Sequence, residues 1–369
     1  MKRSDVYFTN MRTGFQNNLL DKLRRLIKRA GMDKIDFDGK YVAIKMHFGE
    51  PGNLAFLRPN WAKVVGDEVK KCGGKPFLTD SNTLYVGGRK NALDHLSAAE
   101  ENGFSTVSTG MHVIIADGLK GTDEAVVKID GNSVKEAKIG RAIADSDIII
   151  SLSHFKGHES TGFGGALKNI GMGSGSRAGK MEMHAFGKPV ADEEKCIGCR
   201  KCAKVCAHSA PVFNEKGKCR IDHEKCVGCG RCIGVCPKDA IREGESNSHE
   251  ELQRRMMEYA KAVLLEKENF HISIAIDISP NCDCHSENDL AIVPNIGIFA
   301  SFDPVAIDQA AADMVNKAYA NAGSMLAEST EHTSDHFHDI HPDTNWEEGL
   351  EYAEEIGLGT RNYNLVVVE

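Results

Sequence analysis

Apolar residues recur every three or four positions in QNNLLDKLRRLIKRAG (16–31), so Leu19, Leu20, Leu23, Leu26, Ile27 and Ala30 share one helical face before Gly31 ends the run. The pattern then tightens, and KYVAIKM (40–46) is apolar almost throughout, as in a strand covered on both faces. PNWAKVVGDEVKKCGG (59–74) predicts a helix opened by Pro59 and closed by two glycines, with the short strand PFLTD (76–80) after it. HVIIAD (112–117), AVVKID (125–130) and DIIISLS (147–153) read as further strands. SHEELQRRMMEYAKAVLLEK (248–267) opens with a capping box, Ser248 to Glu251, and continues as an amphipathic helix. HISIAID (271–277) and GIFAS (297–301) resume the strand pattern, DPVAIDQAAADMVNKA (303–318) predicts a helix started by Asp303 and Pro304, and NLVVV (364–368) closes the series. Alternating strands and helices predict an α/β fold with an at least partly parallel sheet.

Between these two α/β stretches the pattern is set by cysteine. Eight of the twelve cysteines fall in two copies of C-x2-C-x2-C-x3-C: Cys196, Cys199, Cys202 and Cys206 in CIGCRKCAKVC, and Cys226, Cys229, Cys232 and Cys236 in CVGCGRCIGVCP. This is the spacing of the bacterial two-cluster ferredoxin, in which the fourth cysteine of each run ligates the other cluster. One 4Fe-4S cluster is thus expected on Cys196, Cys199, Cys202 and Cys236, the other on Cys226, Cys229, Cys232 and Cys206. Three thiolates on a tight loop take three corners of a cubane, and the fourth arrives from a separate short helix. Pro237 follows the second run, whereas Ala207 follows the first. Zinc knuckles would show paired CxxC elements around a longer loop. The expected architecture is a discontinuous α/β domain, residues 1–190 and 245–369, interrupted by a two-cluster ferredoxin domain at 191–244.

Composition narrows the class. The 369 residues are 41% hydrophobic and 27% charged, as in soluble globular proteins, and suit two or three domains. A net charge of -8 argues against nucleic acid and anionic membrane surfaces as partners. With no apolar run of eighteen residues and no leader-like h-region, a cytoplasmic location is expected, where thiols bind metal rather than pair.

Residues 157–187 carry nine glycines directly after DIIISLS. In open α/β sheets ligands sit beyond the carboxyl ends of strands, and glycines let backbone N–H groups approach anions. The run is therefore expected to be a binding loop, with Gly162, Gly164, Gly165, Gly173 and Ser174 near the ligand and Lys168 and Arg177 meeting a phosphate or carboxylate; the alternative is a glycine-rich linker. It matches neither the Rossmann nor the Walker fingerprint. His154, His158 and His184 are candidate metal ligands or acid/base groups, or polar residues bonded within the loop. His47 follows a strand, and Asp80, Ser81, Asn82, Gly88 and Arg89 lie after another, as cofactor contacts or as turn chemistry. Cys282 and Cys284 stand too close for an ordinary disulfide and are read as active-site or metal-binding thiols, or as a buried free pair. Cys72 and Cys219 are expected to be structural, and the histidine-rich stretch 331–342 a solvated loop.

KMHFGEPGN, DSNTLYVGGR, SHFKGHESTGFGGALKNIGMGSGSR, DCHSENDLAIVPNIGIFASFDPVAID and EYAEEIGLG resemble the ferredoxin-fused branch of domain of unknown function family 362. That resemblance implies an iron-sulfur protein of the kind common in anaerobes. The pattern H-x3-GFGG-x2-K…H is more distantly similar to the loop of nickel-pincer lactate racemases, which would give His158 proton and hydride chemistry, Lys168 cofactor anchoring and His184 nickel ligation. The racemases' isoleucine-x-proline-glycine turn is here Asn169 to Gly173, and they carry no ferredoxin domain. Two adjacent clusters make a one-electron wire, and a flavin, FMN or FAD, is a natural terminus. Three functions stay open: an iron-sulfur redox protein, a nickel- or other metal-dependent racemase-like enzyme, and a ferredoxin-like carrier or assembly factor. The expected partners are a redox protein or low-potential electron donor and a small-molecule ligand; a homodimer is compatible.

Overall fold

A computed structural model describes residues 3–84, 87–185, 188–244, 248–330 and 333–369. The α/β part is built on eight strands: β1 (Ser4–Asn10), β2 (Tyr41–Lys45), β3 (Lys75–Asp80), β4 (Val113–Ile115), β5 (Ile148–His154), β6 (Glu268–Ala275), β7 (Gly297–Ser301) and β8 (Tyr363–Val367). They lie in the order β8-β1-β7-β6-β5-β2-β3-β4. The run β6-β5-β2-β3-β4 is wholly parallel, β7 is antiparallel to both neighbours, and β8 is parallel to β1. The fold is mixed α/β with a large, mostly parallel sheet.

Period-two alternation explains how the sheet is covered. Val42, Ile44, Ile148, Ile150, Leu152, Phe270, Ile272 and Ile274 point to one face, where they pack with helices α1 (Leu19–Arg29) and α2 (Pro59–Lys71). The intervening Ser151, Ser153, His271 and Ser273 are buried on the other face. That face is covered by α3 (Ala166–Ser174), α5 (His249–Leu264) and α6 (Pro304–Asn316), while α4 (Arg177–Ala185) follows α3 towards the cysteine-rich segment. Asn169 of α3 bonds Ser151 Oγ and the Lys45 carbonyl, both at 2.9 Å, fastening the helix to β5 and β2.

Three segments depart from the expectations. AVVKID lies outside the main sheet, where Glu124–Lys128 pairs with Glu136–Gly140 as a separate ribbon. The glycine-rich run is not an open loop: it folds as a hairpin (156–158 with 162–164) followed by α3 and α4. The histidine-rich stretch is packed rather than solvated, because Asp335 caps a short helix, Phe337 is buried against Phe155, Phe163 and Trp346, and His341 bonds the Pro280 carbonyl at 2.8 Å. Within it Glu331 and His332 lie outside the described residues.

The cysteine-rich segment is a twofold repeat with a period of 30 residues. Strands Pro189–Ala191 and Pro211–Phe213 recur as Cys219–Ile221 and Ile241–Glu243, and Lys201–Val205 recurs as the helical turn Arg231–Gly234. The first strand pairs with the last, and the middle two pair with each other, so neither half closes alone.

Glu258 of α5 is fully buried, and its carboxylate accepts from the backbone N–H groups of Asn132, Ser133 and Val134 and from the Tyr352 hydroxyl. Glu258→Ala strands these donors and is expected to lower unfolding free energy by about 3 kcal/mol in urea titrations; an unchanged midpoint would show that water replaces the carboxylate freely.

Candidate functional site

Three adjacent parallel strands end in polar residues: β2 in Lys45, β3 in Asp80 and β5 in His154. These ends open into a cavity of about 70 Å³. Its wall holds five cationic side chains, Lys45, Arg89, Lys156, Lys168 and Lys180, and one carboxylate, Asp80. His47, His154, Ser81, Thr83, Asn169, Cys282 and Cys284 complete the polar lining.

Burial makes these charges strongly interdependent. Lys45 bonds Asp80 at 3.0 Å and Asn169 Oδ1 at 2.9 Å. Arg89 bonds Glu50 at 2.6 Å and reaches His47 Nε2 at 2.7 Å. Desolvation would raise Asp80, but Lys45, His95 and His47 outweigh it and hold the carboxyl well below the usual range. Desolvation lowers Lys45, and it pushes Lys180 down to about 8. His47 lies well below its ordinary value because of burial and then Arg89. Lys168 behaves oppositely: the sulfurs of Cys282 and Cys284 overcome its desolvation and raise it, and its Nζ stands 3.2 Å from Cys282 Sγ. Ser81 Oγ, Thr83 Oγ1 and Arg89 Nη2 are buried with no hydrogen-bond partner among the described residues. Buried polar atoms nearly always have partners, which makes these three candidate contacts for a ligand's acceptor atoms.

Of the residues singled out from sequence, His47, Asp80, Ser81, Arg89, His154, Gly165, Lys168, Gly173, Cys282 and Cys284 line this cavity. His158 sits just behind it, its imidazole lowered by burial and by Lys168. His184 on α4 is lowered to about 4, by burial first and then by His158, Lys168 and Lys180. Asn82 lies elsewhere, tied to Asp117 by its backbone N–H (2.9 Å) and its amide (2.8 Å). Gly88 donates its N–H to Glu50 and thereby seats Arg89. Ser174 is buried outside the cavity wall. Gly187, and Tyr85 and Val86 between Asn82 and Gly88, lie outside the described residues.

The glycines mainly serve packing. A Cβ on Gly165 would strike the Asp308 carboxylate, which accepts from Ala166 N–H (2.7 Å) and Leu167 N–H (2.9 Å). The chain's own Asp308 thus occupies the α3 N-terminus, a place the sequence reading left for a ligand. Gly173 leaves room for the Lys45 ammonium, Gly164 lies against Lys168 and Lys156, and Gly162 turns the hairpin against Trp346. Sequence reasoning missed Lys156, Lys180, Asn169 and Asp308 as site-builders. The available signal was a lysine inside an otherwise buried strand-helix run.

The repeat cysteines gather in two hollows. Cys196, Cys199, Cys202 and Cys236 line one, together with Cys219; Cys206, Cys226, Cys229 and Cys232 line the other. Each hollow thus draws three sulfurs from one run and one from the other. Backbone N–H groups face the sulfurs at equivalent places in both halves: Gly198 and Gly228 donate to Cys196 and Cys226 (3.4 and 3.5 Å), Ala210 and Ala240 to Cys206 and Cys236 (3.4 and 3.2 Å). Cys219 N–H adds a further bond to Cys196 Sγ at 3.3 Å. Thirty residues earlier its counterpart is Pro189, which has no N–H. Cys219 also lies 3.7 Å from Cys202, sulfur to sulfur.

Helix α4 joins the two regions. Lys180 lines the cationic cavity, while the next residue, Met181, is buried among Cys196, Cys202, Leu84 and Ile233. Arg177, one turn earlier, faces a larger cleft of about 650 Å³ that also takes in Lys90, Lys120, Lys204 and Arg231. Beyond the hollows, Glu159, Cys284 and His285 bring three donor atoms within 4.8 Å of one another, the one such trio among the described residues.

His95 and His271 are lowered to about 3, chiefly by burial, and join His184 as imidazoles kept neutral by the fold. The unfolded chain protonates them near pH 6.5, so it binds more protons than the folded chain below that value and stability falls with acid. Thermal unfolding followed from pH 7.5 to 5 should show a falling midpoint below about pH 6.5; a flat profile would contradict neutral burial.

No helix among the described residues is long and apolar enough to cross a membrane. A thylakoid-associated protein of Synechocystis is 27% identical over 194 residues, which cover 49% of this chain and 56% of the relative; the chain thus spans little more than half of that curated relative. Among solved structures, the lactate racemase apoprotein of Thermoanaerobacterium thermosaccharolyticum aligns at a TM-score of 0.40 and 13% identity, covering 73% of this chain and 51% of its own. A structural-genomics protein of Thermotoga maritima aligns at 0.41 and 11%, covering 79% and 57%. The family described as domain of unknown function DUF362 matches residues 42–313, and the chain belongs to it.

Proposed function

We propose that the chain is an iron-sulfur redox protein that moves electrons between two 4Fe-4S clusters and a small anionic ligand in the cationic cavity. Cys196, Cys199, Cys202 and Cys236 would hold one cluster and Cys206, Cys226, Cys229 and Cys232 the other. When bound, such clusters supply one-electron transfer at low potential. The carrying observation is α4, whose consecutive residues Lys180 and Met181 face the cavity and the cysteine-rich core. A helix with its side chains is about 10–12 Å across, so one element separates the two regions. Five cations against three carboxylates, Asp80, Glu50 and Asp283, leave a positive surplus that favours a carboxylate- or phosphate-bearing ligand. About 70 Å³ suits a small group rather than a flavin ring.

The crossed ligation has a direct test. In electron paramagnetic resonance of dithionite-reduced, anaerobically prepared protein, Cys236→Ser should alter the signal of the cluster whose other ligands lie in the first run, and Cys206→Ser that of the other. Signals that ignore both substitutions would contradict the assignment. The extra N–H from Cys219 to Cys196 stabilises added negative charge, so the cluster on Cys196 should have the higher midpoint potential. Equal midpoints in a redox titration would remove that distinction.

A second reading rests on the cleft of about 650 Å³, which has the volume of a cofactor site and is lined by Lys90, Lys120, Arg177, Lys204 and Arg231. FMN or FAD there would present its phosphate to these cations beside the second cysteine run. A yellow, fluorescent molecule released on denaturation supports this reading; a colourless supernatant opposes it. The racemase-like alternative, with His158 in proton and hydride chemistry, Lys168 anchoring the cofactor and His184 ligating nickel, requires stoichiometric nickel that is lost in His184→Ala.

A further inference from the structure

Neither the cluster hollows nor the cations give a use for the two thiols in the cavity wall. Cys282 and Cys284 both line it, and Cys282 is buried. They occupy the first and third positions of a turn closed by His285 N–H to the Cys282 carbonyl at 3.1 Å. Such a turn brings alternate Cα atoms within the separation that a disulfide spans, roughly 4.4–6.8 Å. The residue between them is clamped: the buried Asp283 carboxylate takes His154 Nδ1 at 2.9 Å and lies 3.5 Å from Lys156 Nζ, and its carbonyl accepts from Glu50 N–H at 3.1 Å. Lys168 Nζ lies 3.2 Å from Cys282 Sγ, where its charge favours the thiolate. Among the described residues no lysine hydrogen-bonds Cys284, so the two sulfurs are chemically distinct.

We propose that Cys282 and Cys284 are a redox-active dithiol/disulfide pair, with Cys282 as the attacking sulfur and Cys284 as the resolving one, acting on the disulfide of a small anionic thiol. Cys282 thiolate attacks one sulfur of RS–SR, forming a mixed disulfide and expelling RS⁻. Cys284 gives up its proton and attacks Cys282 Sγ, expelling the second RS⁻. In sum, two protein thiols are oxidised to one disulfide and the substrate is reduced to two thiols. Return to the dithiol takes two electrons and two protons, matching two one-electron iron-sulfur donors; this half of the cycle rests on the proposed function above. The ring closed by residues two apart is tight, which suits a labile couple rather than a structural staple.

The disulfide of thioglycolate, a small dianion, added to the anaerobic full-length protein and followed by iodoacetamide and peptide mass mapping, tests the pair. The peptide bearing both cysteines is expected two hydrogens lighter, unalkylated, and reopened by dithiothreitol. Cys284→Ser should accumulate thioglycolate on Cys282, and Lys168→Met should slow that trapping by roughly tenfold. Both cysteines alkylated as before, or both shielded by a stoichiometric metal, would overturn the proposal. The electron route is read separately: the same small disulfide should quench about two spins per molecule of reduced wild-type protein and none in Cys282→Ser. A disulfide that forms without spin loss would uphold the pair and contradict the route.

Discussion

Positive charge buried at the carboxyl ends of β2, β3 and β5 is the constraint around which this molecule is arranged. Lys45, Lys156, Lys180 and Arg89 are nearly inaccessible to water, and a buried charge is tolerated only when opposed. Asp80, Asp283 and Glu50 oppose them in part, each held by several partners. The surplus is positive, and the orphaned Ser81, Thr83 and Arg89 atoms lie in the same wall. A parallel sheet supplies this geometry because it sends successive strand ends to one edge, where the following loops converge.

The cysteine-rich segment meets that edge through α4. Its halves exchange strands and, in the proposed ligation, sulfurs, so it forms as a unit and presents one side to Met181 and Arg177. An added side chain on Gly230 or Gly234 would collide with Arg177, which shows how closely the second run approaches the helix. The cationic cavity and the cysteine-rich core thus share a wall one helix thick.

Much of this was legible in sequence because periodicity reports burial. DIIISLS and HISIAID sit side by side in the sheet, and the helices at 19–29, 249–264 and 304–316 follow their apolar stripes. The cysteine spacing anticipated which sulfurs share a hollow, since spacing encodes a local loop and a fixed crossing. The glycine-rich run was harder: Gly165 and Gly173 are small because Asp308 and Lys45, 143 and 128 residues away, need the space. Such tertiary reasons leave no local trace. The strand Ser4–Asn10 escaped notice because it is half polar, and it is fixed by partners from the far end of the chain, β7 and β8. Lys156 and Lys180 looked like surface lysines until the fold enclosed them.

The most direct measurement is the iron, acid-labile sulfide and zinc content of protein purified without oxygen. The account predicts about eight irons and eight sulfides per chain, no zinc, and a brown colour bleached by dithionite. Zinc in the cysteine hollows without sulfide would contradict it, and the cationic cavity would then need a source of reactivity other than electrons.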